Sequence, residues 1–236
     1  MSTPRACLVT GYLRLDLPNR SHGDYVALGE SLLAAAGSPA VVFTDAAVTV
    51  YRRPSTGPTL LPTRLEDCWH WQLSAGADFP AGNPQKDTRA FHAAQHEKTA
   101  WVATAAEHTD AEILVWMDYG ILHVPGVTKD AVRAFLARAA TQAPRDRVGM
   151  ASIWGPPAAV PSWATVGWWC AGGVFTVPRH LARQWHEAVV ERAVGLRSRG
   201  FATWEVNDWA AAWLLHPYLV RPWACDHDAS ILENGP

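Results

Sequence analysis

The sequence predicts an α/β fold: one domain over residues 1–236 with a mixed, mainly parallel sheet flanked by helices. Three observations predict it. Short runs such as 6–12, 40–45 and 113–118 are too apolar to have a wet face, as strands buried between two layers are. Segments with helical spacing alternate with them along the chain, the grammar of strand–helix–strand units. No internal repeat, low-complexity tract or long linker divides the chain.

Taken in order, Ala6-Cys7-Leu8-Val9-Thr10-Gly11-Tyr12 reads as a buried strand. A polar loop from Pro18 to Gly23 follows. Tyr25, Leu28, Leu32 and Leu33 then recur at helical spacing up to Gly37, a natural stop. Ala40 to Asp45 is a second strand, and Val48 to Tyr51 a third. Residues 54–87 are rich in Pro, Gly and Asp and read mostly as loop, broken by a short segment around Trp69 and Trp71. A helix is expected from Thr88 to Glu107, a strand over Ile113–Asp118, a helix over Lys129–Gln142 and a strand from Val148 to Ile153. Gly173 to Val177 is strand-like, helices follow near 179–198 and 204–215, and the tail from Pro217 reads as irregular.

With 49% hydrophobic and 18% charged residues, the chain has the profile of a folded globular domain. Its formal charge of −2 gives no overall basic character of the kind that sequence-independent nucleic-acid binding requires. Arg5 is followed by too few apolar residues before Arg14 for a signal peptide, and no apolar run of about 18 residues predicts a membrane span. Cys7, Cys68, Cys170 and Cys225 are scattered, as reduced thiols are, so a cytoplasmic location is expected. The 13 Trp exceed what an ordinary core needs. Large aromatics are mostly packing, yet Trp is also a platform for the apolar face of a sugar ring.

Four constellations can carry chemistry. Asp118 ends a wholly apolar strand, Trp116-Met117-Asp118-Tyr119-Gly120, at the place where ligands bind in open α/β sheets. Asp-x-Gly is also turn chemistry, and position alone does not choose between the two. Lys98 falls on the apolar stripe of its helix with Phe91, Ala94, Gln95, Trp101, Val102 and Ala105; it either snorkels or points a cation into a cleft. In Thr203-Trp204-Glu205-Val206-Asn207-Asp208-Trp209, Thr203 is a candidate helix cap, and Glu205 and Asp208 lie one turn apart beside aromatics, suited to sugar hydroxyls. In Asp226-His227-Asp228, one carboxylate and the imidazole can share a metal, unless the segment is only a solvated acidic tail. Gly172-Gly173 marks a close backbone approach or a sharp turn. The fingerprints of dinucleotide, P-loop, serine-hydrolase and zinc-protease sites are all missing.

These segments, with Val41 to Asp45 and Asn83-Pro84-Gln85-Lys86-Asp87-Thr88, resemble in order the glycosyltransferases of the GT-A type, and more closely the bacterial HtrL/YibB and WlaTC-like group. The resemblance spans nearly the whole chain. It implies a GT-A-like, Rossmann-like domain that moves a sugar from a nucleotide-diphosphate sugar, such as a UDP-sugar, to a hydroxyl acceptor. Thr10, Gly11 and Tyr12 would hold the nucleoside, Lys98 would lie near the donor phosphates or sugar, and Gly172 and Gly173 would line the sugar pocket. Asp118, Glu205 and Asp208 would be the catalytic carboxylates, with Trp204 and Asn207 at the sugar or acceptor. Asp118, Asp226 and His227 would hold Mn²⁺ or Mg²⁺. One departure stands out: Gly120 replaces the second carboxylate of the family's D-x-D motif. That loss is the best support for the alternative, a carbohydrate- or nucleotide-binding protein that keeps the fold without the chemistry. Acceptors open to the family include a polysaccharide, a small molecule and a hydroxylated DNA base. The last would need a basic groove, for which Arg52, Arg53, Arg64, Arg179, Arg183, Arg192, Arg197 and Arg199 are the candidates.

Overall fold

A computed structural model describes residues 5–15, 21–37, 39–45, 57–80 and 82–236. The strands are β1 (Ala6–Tyr12), β2 (Ala40–Thr44), β3 (Thr59–Pro62), β4 (Ile113–Met117), β5 (Val148–Ser152), β6 (Val174–Pro178) and β7 (Val220–Ala224). The helices are α1 (His22–Ala36), α2 (Trp69–Leu73), α3 (Arg89–Ala105), α4 (Lys129–Gln142), α5 (Ala182–Arg197), α6 (Glu205–Leu215) and α7 (Ser230–Glu233). The strands form one sheet in the order β3-β2-β1-β4-β6-β5-β7. β1 to β4 run parallel, β6 runs against β4 and β5, and β7 is parallel to β5. The sheet is therefore mixed and mainly parallel, with helices on both faces.

The apolar runs are continuous because each central strand feeds two cores. Cys7, Val9, Leu114 and Trp116 point to one face, where α3, α5 and α6 add Trp101, Trp185 and Trp209. Leu8, Ile113, Val115 and Met117 point to the other, against Leu32 of α1 and Phe135 of α4. Caps fix the helix ends. Ser21 and Asp24 form a reciprocal capping box at α1, Gly37 closes it at φ 57°, and Thr88 and Thr128 cap α3 and α4.

The differences from the sequence reading are local. α1 starts at His22, inside the expected loop, because the capping box sets its first turn. The expected strand Val48–Tyr51 lies outside the described residues; β3 instead forms within the segment read as loop, and β7 and α7 within the tail read as irregular. Pro62 and Pro222 obscured both strands in the sequence. They are tolerated because β3 and β7 are the two edges of the sheet, where a missing N–H interrupts no ladder. The N-cap of α6 is Trp204, not Thr203. All four cysteines are free, and among the described residues no helix is long and apolar enough to cross a membrane.

Candidate functional site

The chain lays β2 and β3 to one side of β1, then returns to place β4 on the other. The connections leaving the carboxyl ends of β1 and β4 thus diverge, and a crevice opens between them. A cavity of about 400 Å³ occupies it. Gly11 and Tyr12 come from the end of β1, and Asp118 to Gly120 from the end of β4. Because β6 runs antiparallel, the residues that precede it, Gly172 and Gly173, reach the same edge. The Asp118 amide donates to Gly173 O at 2.9 Å, locking the two segments together. Lys98 and Trp101 of α3, with Trp204 and Glu205 at the start of α6, close the floor.

Lys98 is the centre of that floor. Only 3% of its side chain is exposed, so snorkelling is ruled out. Three acceptors surround its ammonium: Glu205 Oε1 at 3.0 Å, Asp118 Oδ1 at 3.1 Å and Gly172 O at 3.1 Å. An ammonium has three protons, and this set uses all of them. Burial opposes charge on Lys98, but Asp118 and Glu205 outweigh it and push the lysine up. Burial likewise opposes charge on Glu205, and Lys98, then His96, hold the carboxyl below its usual range. The site is thus a carboxylate–ammonium–carboxylate bridge. It leaves two oxygens over: Glu205 Oε2 is buried with no partner, while Asp118, about a third exposed, uses Oδ1 for both Trp116 Nε1 and Lys98.

Gly172 is required by this packing. A Cβ there would lie 2.6 Å from Glu205 Oε1 and 3.4 Å from Lys98 Nζ. Gly173 is tight in a milder way, its Cβ position lying 3.2 Å from Ile121 Cδ1. The walls are aromatic. Tyr12 stacks between Tyr25 and Tyr119 at centroid distances of 5.4 and 5.3 Å, and Trp168 meets His227 edge-on at 4.4 Å.

Several expected site residues lie elsewhere. Thr10 is fully buried in β1, off the cavity lining, because alternation along the strand turns it away from Gly11. Asn207 is also buried and its amide is fully engaged: Nδ2 shares its two protons among Ser162 O, Thr165 O and Thr203 Oγ1, and Oδ1 accepts from Gly167 N. It ties the 162–167 loop to α6 and is not available to an acceptor. Asp208 turns away from the cavity and binds His96 Nε2 at 3.0 Å, with side-chain exposures of 6% and 0%. Asp226 is exposed, is not part of the lining, and accepts from the His227 amide. Of the expected metal set, only Asp118 and His227 line the cavity, and among the described residues no three His, Cys, Asp or Glu side chains are gathered to hold a metal ion. A side chain at position 120 would approach Tyr25 Cε1, the Gly120 Cβ position lying 3.2 Å from it. Residues not expected from sequence but present in the lining include Lys86, Trp168 and His123.

Among the arginines considered for a basic groove, Arg52 and Arg53 lie outside the described residues. Arg64 pairs with Glu66, Arg179 with Asp110 and Arg183 with Glu187, while Arg197 donates to Leu73 O and Ala75 O. Each of these has a local partner, and none lines the cavity.

No family model matches this sequence, and no curated protein matches it. Solved structures similar to it include two of Rv0371c from Mycobacterium tuberculosis H37Rv. One is 11% identical, with 96% of this chain and 90% of that chain covered and a TM-score of 0.46. The other, a complex of Rv0371c with manganese, is 12% identical, with 95% and 90% covered and the same TM-score.

Proposed function

We propose that the cavity is the donor site of a glycosyltransferase of the GT-A type, which moves a sugar from a nucleotide-diphosphate sugar to a hydroxyl acceptor. The observation that carries this reading is the Lys98 bridge. It sets the Asp118 carboxylate at the end of β4 and the Glu205 carboxylate at the start of α6 against one ammonium, and leaves Glu205 Oε2 without a partner. An ionised carboxylate oxygen only accepts hydrogen bonds, so the floor suits a ligand rich in donors, and sugar hydroxyls are such donors. The stacked tyrosines beside it suit a planar base.

In this reading Asp118 Oδ2 holds a hydroxyl of the donor, and Glu205 Oε2 orients the sugar. The bond between the anomeric carbon and the diphosphate oxygen breaks, its electron pair leaving with the diphosphate. The acceptor oxygen bonds to that carbon, and its proton passes to Glu205 Oε2. Lys98 keeps Glu205 ionised until then; with its protons committed to the protein, it is not the phosphate contact that the resemblance implied. The protein side chains alone do not make up the expected metal set, and no step here runs through a cation.

The test is a thermal-shift panel of nucleotides and nucleotide sugars, each with and without Mn²⁺. One nucleotide family should raise the melting temperature in the wild type and lose most of that effect in Asp118→Asn. A panel with no shift at millimolar concentration contradicts the donor site. Binding without any sugar transfer or hydrolysis would favour the non-catalytic alternative that Gly120 suggests.

A further inference from the structure

Behind the cavity floor, α2, α3 and α6 enclose a layer of buried histidines. His96 stacks on His70 of α2 at 3.8 Å and 11°, and lies 6.2 Å from His92, also on α3. Trp69 of α2 meets it edge-on. From α6 it faces Asp208, with Glu205 one turn away. His186 of α5 is turned instead to Thr99 and Trp69.

Hydrogen-bond chemistry sets the protons in this layer. His96 Nδ1 lies 2.8 Å from His92 O, and a carbonyl only accepts, so Nδ1 carries a proton. Nε2 lies 3.0 Å from Asp208 Oδ2. Without a second proton, two lone-pair atoms would face each other in a site closed to water. Of the two, the imidazole is by its ordinary basicity the stronger proton acceptor, so the shared proton sits on Nε2 and not on the carboxyl. Among the buried ionic groups that touch, Lys98 and Glu205 cancel, and Asp208 needs a cation of its own. His70 and His92 do not supply it, since burial pushes both imidazoles down.

We propose that His96 is a buried imidazolium held by Asp208, and that this pair positions Glu205 from behind: it pins the first turn of α6 to α3 and sets a second positive charge at the back of the carboxylate that faces the cavity. Asp208 is then a positioning residue acting through His96, not one that touches a ligand. The proposal rests on the cavity reading only for its functional consequence; the state of His96 does not depend on it.

The experiment uses the isostere Asp208→Asn. An asparagine amide can donate to a neutral Nε2, so the shape and one hydrogen bond survive while the charge pair is lost. Long-range ¹⁵N–¹H spectra of the histidine rings should show His96 doubly protonated in the wild type near neutral pH, and neutral with only Nδ1–H in the variant. The Glu205 carboxyl, followed by ¹³C, should titrate at higher pH in His96→Gln, which removes the positive charge and keeps Asp208, than in the wild type, and the acid limb of ligand binding should move the same way. A purely structural role for the pair would leave the Glu205 titration in His96→Gln where it is, and that result overturns the proposal. So does a wild-type His96 lacking the Nε2 proton, which is decisive even if the variant does not fold. A wild type that binds no nucleotide, yet shows an imidazolium at His96, would sink the donor-site reading and leave this inference standing.

Discussion

Helices α3 and α6 are joined by two ion pairs, Lys98–Glu205 and His96–Asp208, of nearly equal length at 3.0 Å. All four side chains are almost fully buried, yet only the first pair lines the cavity. In the open pair, the lysine is shared with Asp118, and one oxygen of Glu205 is left without a partner. In the sealed pair, both imidazole nitrogens have acceptors. The comparison shows that burial of charge does not by itself mark a functional group. What marks it is a charged group held in place at a cavity wall with bonding capacity left over.

The largest effect is expected from Lys98→Met, which leaves Glu205 as a buried, unpaired carboxylate. Loss of one partner from a buried pair costs about 3–5 kcal/mol, and denaturant melts should show a fall of that size together with loss of any ligand-induced stabilisation. Gly172→Ala is aimed at the open pair alone. Its Cβ would fall 2.6 Å from Glu205 Oε1, so the carboxylate must shift. Overpacking of this kind costs about 1–3 kcal/mol. Ligand affinity should drop by at least roughly tenfold, corresponding to about 1.4 kcal/mol, while the His96 spectrum is unchanged.

Titratable groups outside this cavity predict pH effects of their own. Burial holds the His186 imidazole down from 6.5 to about 4. Between those values the unfolded chain binds a proton that the native state does not, so this contribution is complete above 6.5 and is lost as pH falls towards 4. Melting temperature should therefore decline with acid through that window, and less so in His186→Gln. Glu97 behaves oppositely. Its carboxylate accepts from the Trp69 amide, but burial raises it from 4.5 to about 8. The native state keeps a proton there that the unfolded chain has lost, so stability falls as pH rises from 4.5 to 8. Glu97→Gln should match the wild type near the lower limit and exceed it at the upper, and melts at the two pH values would check this.

Much of the fold was legible because strands buried on both faces and capped helices leave local signals. The edge strands were not, since their prolines read as loop. Of the cavity residues, Asp118 and Lys98 stood out because each sets a charge at the end of an apolar strand or on an apolar stripe, and Glu205 because it lies one turn from Asp208 beside aromatics. The distinction between Glu205 and Asp208 did not. Three residues apart on a helix, they differ by only about 60° in direction. α6 is buried nearly all round, so that small angle separates a cavity from an interhelical seam, and only the packing of α3 decides which carboxylate meets which. Asn207 differs for a similar reason: its backbone partners in the 162–167 loop lie some forty residues earlier in the sequence, where spacing carries no information.

The most direct test of the central claim is turnover. Incubation of the protein with a panel of nucleotide sugars, analysed by mass spectrometry for released nucleoside diphosphate, should reveal one donor consumed by the wild type and spared by Glu205→Gln. If no nucleotide sugar is consumed, or the Glu205→Gln protein consumes it equally well, the Lys98-bridged carboxylates are not the catalytic floor proposed here.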